Sequence, residues 1–401
     1  MGRGPGAVQI GLDPGHGTVL DGLTAADVAL LDDLTTGLDD ARLARIEDPE
    51  RAARAHRLVQ LLAGRGVLLH GRRRPNLAAL GAGRARLAPD AATWSVVHHD
   101  AGDGWHLLAE RSRRTVEIRG GGRTGLTLAS TLAAAGVGAV RVRAGALTSP
   151  GDVAPGGARP HDVGVPLQDA AHRAIARALG REPSAADGSD PAPGPAADAG
   201  AGGGADPARA DLVVLLDRGA ADASRADQLL AQDVPHLSVV VRETSIVVGP
   251  LVLPGRGPCL RCLDLHRSER DRQWPLVLAQ LVSSEAALAA PREETASAQL
   301  AAGLAALQVL GQLDGLQAPS SIGATLEIEL PDGLVSRRPW PAHASCGCHW
   351  PLPPTRSTPT GTTSAGTTAA GPPSTSIGSA REITSPLAGA SGPDRRQCSG
   401  D

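Results

Sequence analysis

The 401-residue chain has no lysine, no phenylalanine and no tyrosine, and only one methionine. All 39 basic side chains are therefore arginine. Without lysine there is no lysine nucleophile, no Schiff base and no P-loop of the usual kind, in which a lysine reaches the phosphates. Without Phe and Tyr the core must be Leu, Val, Ile and Ala, and five tryptophans supply the aromatic rings. That scarcity leaves no base-stacking surface. With a formal net charge of −3 and no basic stripe, no nucleic-acid partner is expected. The opening Met1-Gly-Arg-Gly-Pro5 lacks the apolar run of a signal peptide. No stretch reads as long and apolar enough to span a bilayer, so a cytoplasmic protein with no membrane partner is expected. The length leaves room for two domains plus extras.

Cysteine is scarce as well, and its placement is informative. Four of the five cysteines fall in two tight pairs, Cys259-Leu-Arg-Cys262 and Cys346-Gly-Cys348. Gaps of this size let both thiolates of a pair reach one ion, and two pairs complete the four-sulfur shell of a structural zinc. Gly255-Arg-Gly-Pro258 could present the first pair on a knuckle. The competing readings are two buried disulfides, which a reducing cytoplasm disfavours, or unrelated free thiols. Cys398 lies in a polar tail and is set aside.

The pattern divides the chain into four parts. Residues 1–72 read as a small winged-helix-like module. It has strands at Val8–Ile10 and Thr18–Leu20 around Asp13-Pro-Gly-His-Gly17, a helix capped by Thr24, a helix over 50–63, and a closing strand at Gly66–Leu69. Residues 73–111, with Trp94 and Trp105, read as a linker and edge hairpin. From 112 to 350 strands and helices alternate, which predicts an α/β, Rossmann-like, mostly parallel sheet with helices on both faces. An Ala/Gly/Pro/Asp insertion over 183–208 interrupts it, and both that insertion and the Ser/Thr/Pro/Gly tail over 351–401 read as disordered.

Gly120, Gly122 and Gly125 stand in G-x-G-x-x-G register between a predicted strand, Thr115–Ile118, and a predicted helix from Leu126. Such glycines let backbone N–H groups approach a pyrophosphate at a helix N-terminus. Arg123 would add charge to a phosphate, and Asp217, ending a buried strand, could hold magnesium or a reacting phosphate. A tight turn that binds nothing and a solvated aspartate are the plain alternatives. The usual ribose-binding acid is missing. Arg141-Val-Arg143 stands there instead, and Arg143 would suit a 2′-phosphate, which opens an NADP-dependent oxidoreductase reading. His98, His99 and Asp100 are weak metal candidates, and His236 reads as structural. His266 and the run Arg267-Ser-Glu-Arg-Asp-Arg272 could form an anion or peptide-tail site near the knuckle, or simply an exposed, self-paired face.

Taken together, Gly120–Gly125, Asp162-Val-Gly164, Leu215-Leu-Asp217 and the cysteines at 259, 262, 346 and 348 resemble the ThiF/MoeB family, relatives of ubiquitin-activating enzymes, over about residues 111–350. The resemblance implies an adenylyltransferase fold with structural zinc, ATP and magnesium. It implies a small carrier protein or precursor peptide as substrate, Arg123 and Asp217 in catalysis, and a homodimer. Val248–Pro254 with Pro258-Cys-Leu-Arg-Cys262 resembles, more narrowly, a branch linked to azoline peptide maturation. There a winged-helix module binds a leader peptide and a cyclodehydratase is the partner enzyme. The family's ribose acid after Val142 and its lysine near Pro166-Leu-Gln168 are absent, and no cysteine lies between 263 and 345. Three readings stay open: an ATP-dependent activator, a degenerate activator that recruits a peptide for another enzyme, and the NADP oxidoreductase.

Overall fold

The computed structural model describes residues 2–12, 17–36, 43–65, 67–68, 80–98, 104–181, 209–283, 293–348 and 381–382, except 5, 44 and 82. The chain forms two compact units. One comprises residues 1–73, 92–103 and 359–401; the other comprises 74–91 and 104–358.

In the first unit β1 (Gly2–Gly4), β2 (Ala7–Ile10) and β3 (Thr18–Leu20) pair antiparallel in that order, and Arg381–Glu382 pairs onto the far edge of β3. Thr24 caps α1 (Ala25–Thr36) in a reciprocal box. Its hydroxyl accepts from the Asp27 N–H at 3.2 Å, and the Asp27 carboxylate accepts from the Thr24 N–H at 2.7 Å. Arg54 on α2 (Pro49–Gly64) donates to the same carboxylate at 2.8 Å and ties the two helices together. Leu20, Leu23, Leu31, Leu58 and Leu62 form the core. The closing strand expected at Gly66–Leu69 is not seen at Val67 or Leu68, which pack against this core as irregular chain. Gly66, Leu69 and the turn residues 13–16 lie outside the described residues, as do the 183–208 insertion and nearly all of the tail.

The edge hairpin expected within 73–111 is replaced by two helices, α3 (Arg84–Val97) and α4 (Gly104–Arg111). Leu87 and Ala91, one turn apart, pack on Leu80 and Leu108. Trp94 and Trp105 sit on these helices.

The second unit is built on a seven-stranded sheet of order β10-β9-β8-β7-β6-β4-β5. Strands β4 (Thr115–Arg119), β5 (Ala139–Arg143), β6 (Leu212–Arg218) and β7 (His236–Val241) run parallel. Then β8 (Ser245–Val252), β9 (Ala324–Glu329) and β10 (Leu334–Pro339) add on antiparallel, so the parallel character is confined to one half. The central strands read as unbroken apolar runs because both faces are covered. Leu212, Val214 and Leu216 join a core under α5 (Gly122–Ala134), α6 (Leu167–Ala178) and α10 (Thr295–Asp314). Val213 and Leu215 join the opposite core under α7 (Ala223–Ala231) and α8 (Leu260–Arg270). A short helix, α9 (Trp274–Leu281), follows α8.

By length and composition α10 could cross a membrane, which amends the expectation that no stretch could. Half of its most apolar stretch is buried, with Ala298, Ala301, Ala302, Ala305 and Ala306 turned into the core, the pattern of a soluble core helix. At its C-terminal end Asp314 accepts two bonds from Arg111, at 2.7 and 2.5 Å.

Candidate nucleotide crevice and metal centre

From β4 the chain crosses through α5 to β5, then returns through α6 to β6 on the other side of β4. This reversal puts a crevice at the carboxyl ends of β4 and β6, where doubly wound sheets bind ligands. The glycine loop and Asp217 both lie at that edge, since Arg119, the last residue of β4, pairs beside Leu215. Gly120 and Gly122 have φ of +124° and +81°, which favour glycine. A Cβ on Gly125 would come within 2.8 Å of Leu216 Cδ1, so the third glycine lets α5 pack closely on β6.

The cradle is already filled. Glu293, only 5 % exposed, places Oε2 2.5 Å from the Thr124 N–H in the first turn of α5, where a phosphate oxygen would sit. Its Oε1 lies where a Cβ on Gly122 would go, and Arg218 stands nearby. Burial pushes the Glu293 carboxyl above its ordinary range, against the opposing pull of the Thr124 hydrogen bond and of Arg218. Arg123 is turned away from the loop. Its Nη1 donates to the Glu293 carbonyl at 2.8 Å and to Thr295 Oγ1 at 3.0 Å, and its Nε donates to the Val153 carbonyl. It straps the segment carrying Glu293 onto the helix start. Leu167 packs against Gly121 in the stretch where the family resemblance implies a lysine.

Asp217, Arg143 and Arg173 are also paired. Asp217 accepts from Arg225 Nη1 at 2.5 Å, and burial pushes its carboxyl up. Arg143 donates through Nε to Glu117 at 3.0 Å, and Arg119 donates to the same carboxylate at 2.7 Å. Arg173 is held by Asp162 at 3.0 Å. As they stand, these residues do not fit a bound ATP: a polyphosphate would have to expel Glu293, and a magnesium ion would have to take Asp217 from Arg225.

The cysteines fit their ion. All four sulfurs lie within 4.8 Å of one another, with Cys259 to Cys346 and Cys262 to Cys348 at 3.4 Å and Cys259 to Cys262 at 3.9 Å. Tetrahedral zinc with bonds of about 2.3 Å requires sulfurs about 3.8 Å apart. Cys259 caps the N-terminus of α8, and the second pair follows β10. Burial pushes Cys259 upward, and burial with the neighbouring thiols takes Cys348 up to about 11. For Cys262, burial is outweighed by the His343 N–H and the other thiols, which favour its thiolate. A dication would supply the charge that ionises all four thiols. These four cysteines would hold a zinc ion that ties the start of α8 to the segment after β10, beside Trp340.

His236 is fully buried, bonded through Nδ1 to the Val234 carbonyl, and burial lowers its pKa, as a structural residue requires. His98 stacks on Trp94, while His99 and Asp100 lie outside the described residues. His266 lies beside His343 near the zinc knuckle.

No protein-family model and no curated protein matches the sequence. Solved structures do. PaaA matches with 17% identity and a TM-score of 0.56, over 83% of this chain and 95% of that one. Escherichia coli MccB with its peptide MccA matches with 15% identity and a TM-score of 0.56, over 86% and 98%. MccB with ATP matches with 15% identity and a TM-score of 0.54, over 86% and 98%. These likenesses establish the fold. The chain has the α/β ThiF-type architecture, with a four-cysteine cluster and a small N-terminal β–α module ahead of the main sheet.

Proposed function

We propose that the chain binds a small carrier protein or a ribosomal precursor peptide on a ThiF-type adenylyltransferase frame, and that it recruits the peptide more than it turns over ATP. The observation that carries this reading is Glu293, seated in the phosphate cradle behind Arg123 and Gly122. The frame supports the peptide half of the proposal, because MccB, which shares it, has been crystallised with MccA and separately with ATP. The NADP reading loses support, since Arg143 is engaged by Glu117. In this account a separate enzyme, a cyclodehydratase in the azoline branch, does the chemistry in the cytoplasm, and the chain works as a homodimer. The N-terminal hairpin is the proposed peptide dock, by strand addition. An incoming strand at β3 would compete with Arg381–Glu382. The test is calorimetry of precursor peptides encoded near the gene, titrated into the full chain and into one lacking residues 1–72. Micromolar binding lost on truncation supports the proposal. Binding that survives truncation moves the dock to the zinc-bearing unit, and absence of binding to the full chain refutes the proposal.

A further inference from the structure

A second group of charges, not all of them paired, lies under α8. A narrow cavity of about 10 Å³ separates that helix from the face of β7, β8 and β9, lined among others by Ser238, Arg242, Arg267 and Thr325. This is room for one water-sized group. Ser238 is fully buried and its hydroxyl has no hydrogen-bond partner. The side chain of Arg242, the residue after β7, makes no hydrogen bond or ion pair with any described residue, while its backbone N–H donates to the Ser245 carbonyl. Burial and the neighbouring Arg267 both disfavour its charge, Arg338 adds to this, and Glu327 opposes it from beyond ion-pair distance.

The surroundings deepen the imbalance. Arg267 is paired with Asp264 at 3.1 Å and lies over the Trp274 and Trp340 rings. Arg270 and Arg338 also lie over Trp340, at 5.6 and 4.8 Å, and neither has an ion pair among the described residues. A half-buried guanidinium without a partner and an orphaned hydroxyl on the same cavity are each unfavourable in a finished structure. One acceptor-only ligand atom satisfies both.

We propose that this cavity is a carboxylate-binding site. One carboxylate oxygen enters to accept from the Ser238 hydroxyl and the Arg242 guanidinium, and the rest of the ligand leaves past Arg267 toward the arginines around Trp340. Resting on the function proposed above, the occupant is an acidic side chain or the chain terminus of the bound peptide; a free organic acid shares the chemistry.

The probe is 13C-acetate, followed by its line broadening in the presence of the full chain, with chloride at equal ionic strength as the control. Saturable broadening is expected with wild type, and about tenfold or more weaker binding with Arg242→Met, the effect of removing a charge-assisted hydrogen bond. In chloride, Arg242→Met should melt no lower than wild type, because it removes an uncompensated charge. Ser238→Ala gives a second reading at unchanged charge and should weaken acetate less. Absence of acetate binding by wild type overturns the site and leaves a water as the tenant. Tighter binding of orthophosphate than of acetate overturns the ligand class. If acetate binding depends on Arg242 while peptide affinity does not, the peptide occupant is wrong and a free acid is the ligand. Failure of the peptide to bind wild type sinks the functional reading and leaves the acetate result standing.

Discussion

Replacing Glu293 by Gln tests whether a carboxylate is held under protest in the glycine cradle. The substitution keeps an oxygen that can accept from the Thr124 N–H, now 2.5 Å from Oε2, but it cannot ionise. Two terms oppose each other. The ionised group gains from the α5 N-terminus, a benefit of about 0.3–1 kcal/mol that reaches about 2 kcal/mol in partly buried geometry. It loses hydration, which costs several kcal/mol per buried ion. Burial is the largest influence on Glu293 and its pKa lies above the ordinary 4.5, so the second term wins. Each pH unit of that rise corresponds to about 1.4 kcal/mol. The sign follows from proton linkage. A carboxyl with a raised folded pKa contributes its full stability below the unfolded value and loses it as pH rises through the folded value. Wild type and Glu293→Gln should therefore be nearly equal in stability near pH 4.5. The variant should become the more stable as pH rises through the raised folded-state value. Urea unfolding of both proteins at pH 5, 6, 7 and 8 measures this difference. A difference that does not change with pH, or a variant weaker than wild type at pH 8, would refute the reasoning.

Metal analysis of wild type should give about one zinc per chain, and Cys259→Ser should lose it and lower the folded yield sharply, since structural zinc is worth about 10–16 kcal/mol in small domains; a fully folded, zinc-free wild type would contradict the site. Asp314→Ala leaves Arg111, itself 1 % exposed, charged and alone, and should cost about 3–5 kcal/mol in urea unfolding. The double change Arg111→Leu and Asp314→Leu should recover much of that loss; a single variant within experimental error of wild type would show that the pair is not buried in solution. Gly120→Ala would put a Cβ 2.6 Å from the Leu216 carbonyl at a φ of +124°, and should lower stability by about 1–3 kcal/mol; a neutral result would mean that the loop is not held in this conformation.

Much of this molecule is legible in its sequence, for identifiable reasons. The parallel strands show as apolar runs because they are covered on both faces. The glycine loop shows because its backbone conformations admit little else, and the zinc cluster shows because ligand spacing is local. Two features escaped for equally physical reasons. The helices α3 and α4 carry a thin apolar stripe, Leu87 and Ala91 against Leu108, and Pro89 inside α3 argues against a helix. Glu293 belongs to the crevice only through the tertiary fold. It follows a segment far from the glycine loop in sequence, next to Glu294, which caps α10 in the ordinary way. Nothing local distinguishes the capping glutamate from the one that fills the cradle. The lack of lysine and of a ribose acid was visible and pointed to a weakened nucleotide site, but what occupies that site required the structure.

Calorimetric titration of ATP with magnesium into the wild-type full chain and into Glu293→Ala tests the central claim most directly. The account predicts no measurable binding by wild type up to about 1 mM, the weak end of nucleotide affinity, and measurable binding once the carboxylate is gone and the α5 N-terminus is free. Micromolar binding by wild type, accompanied by peptide-dependent pyrophosphate exchange, would contradict it and make the chain an activating enzyme.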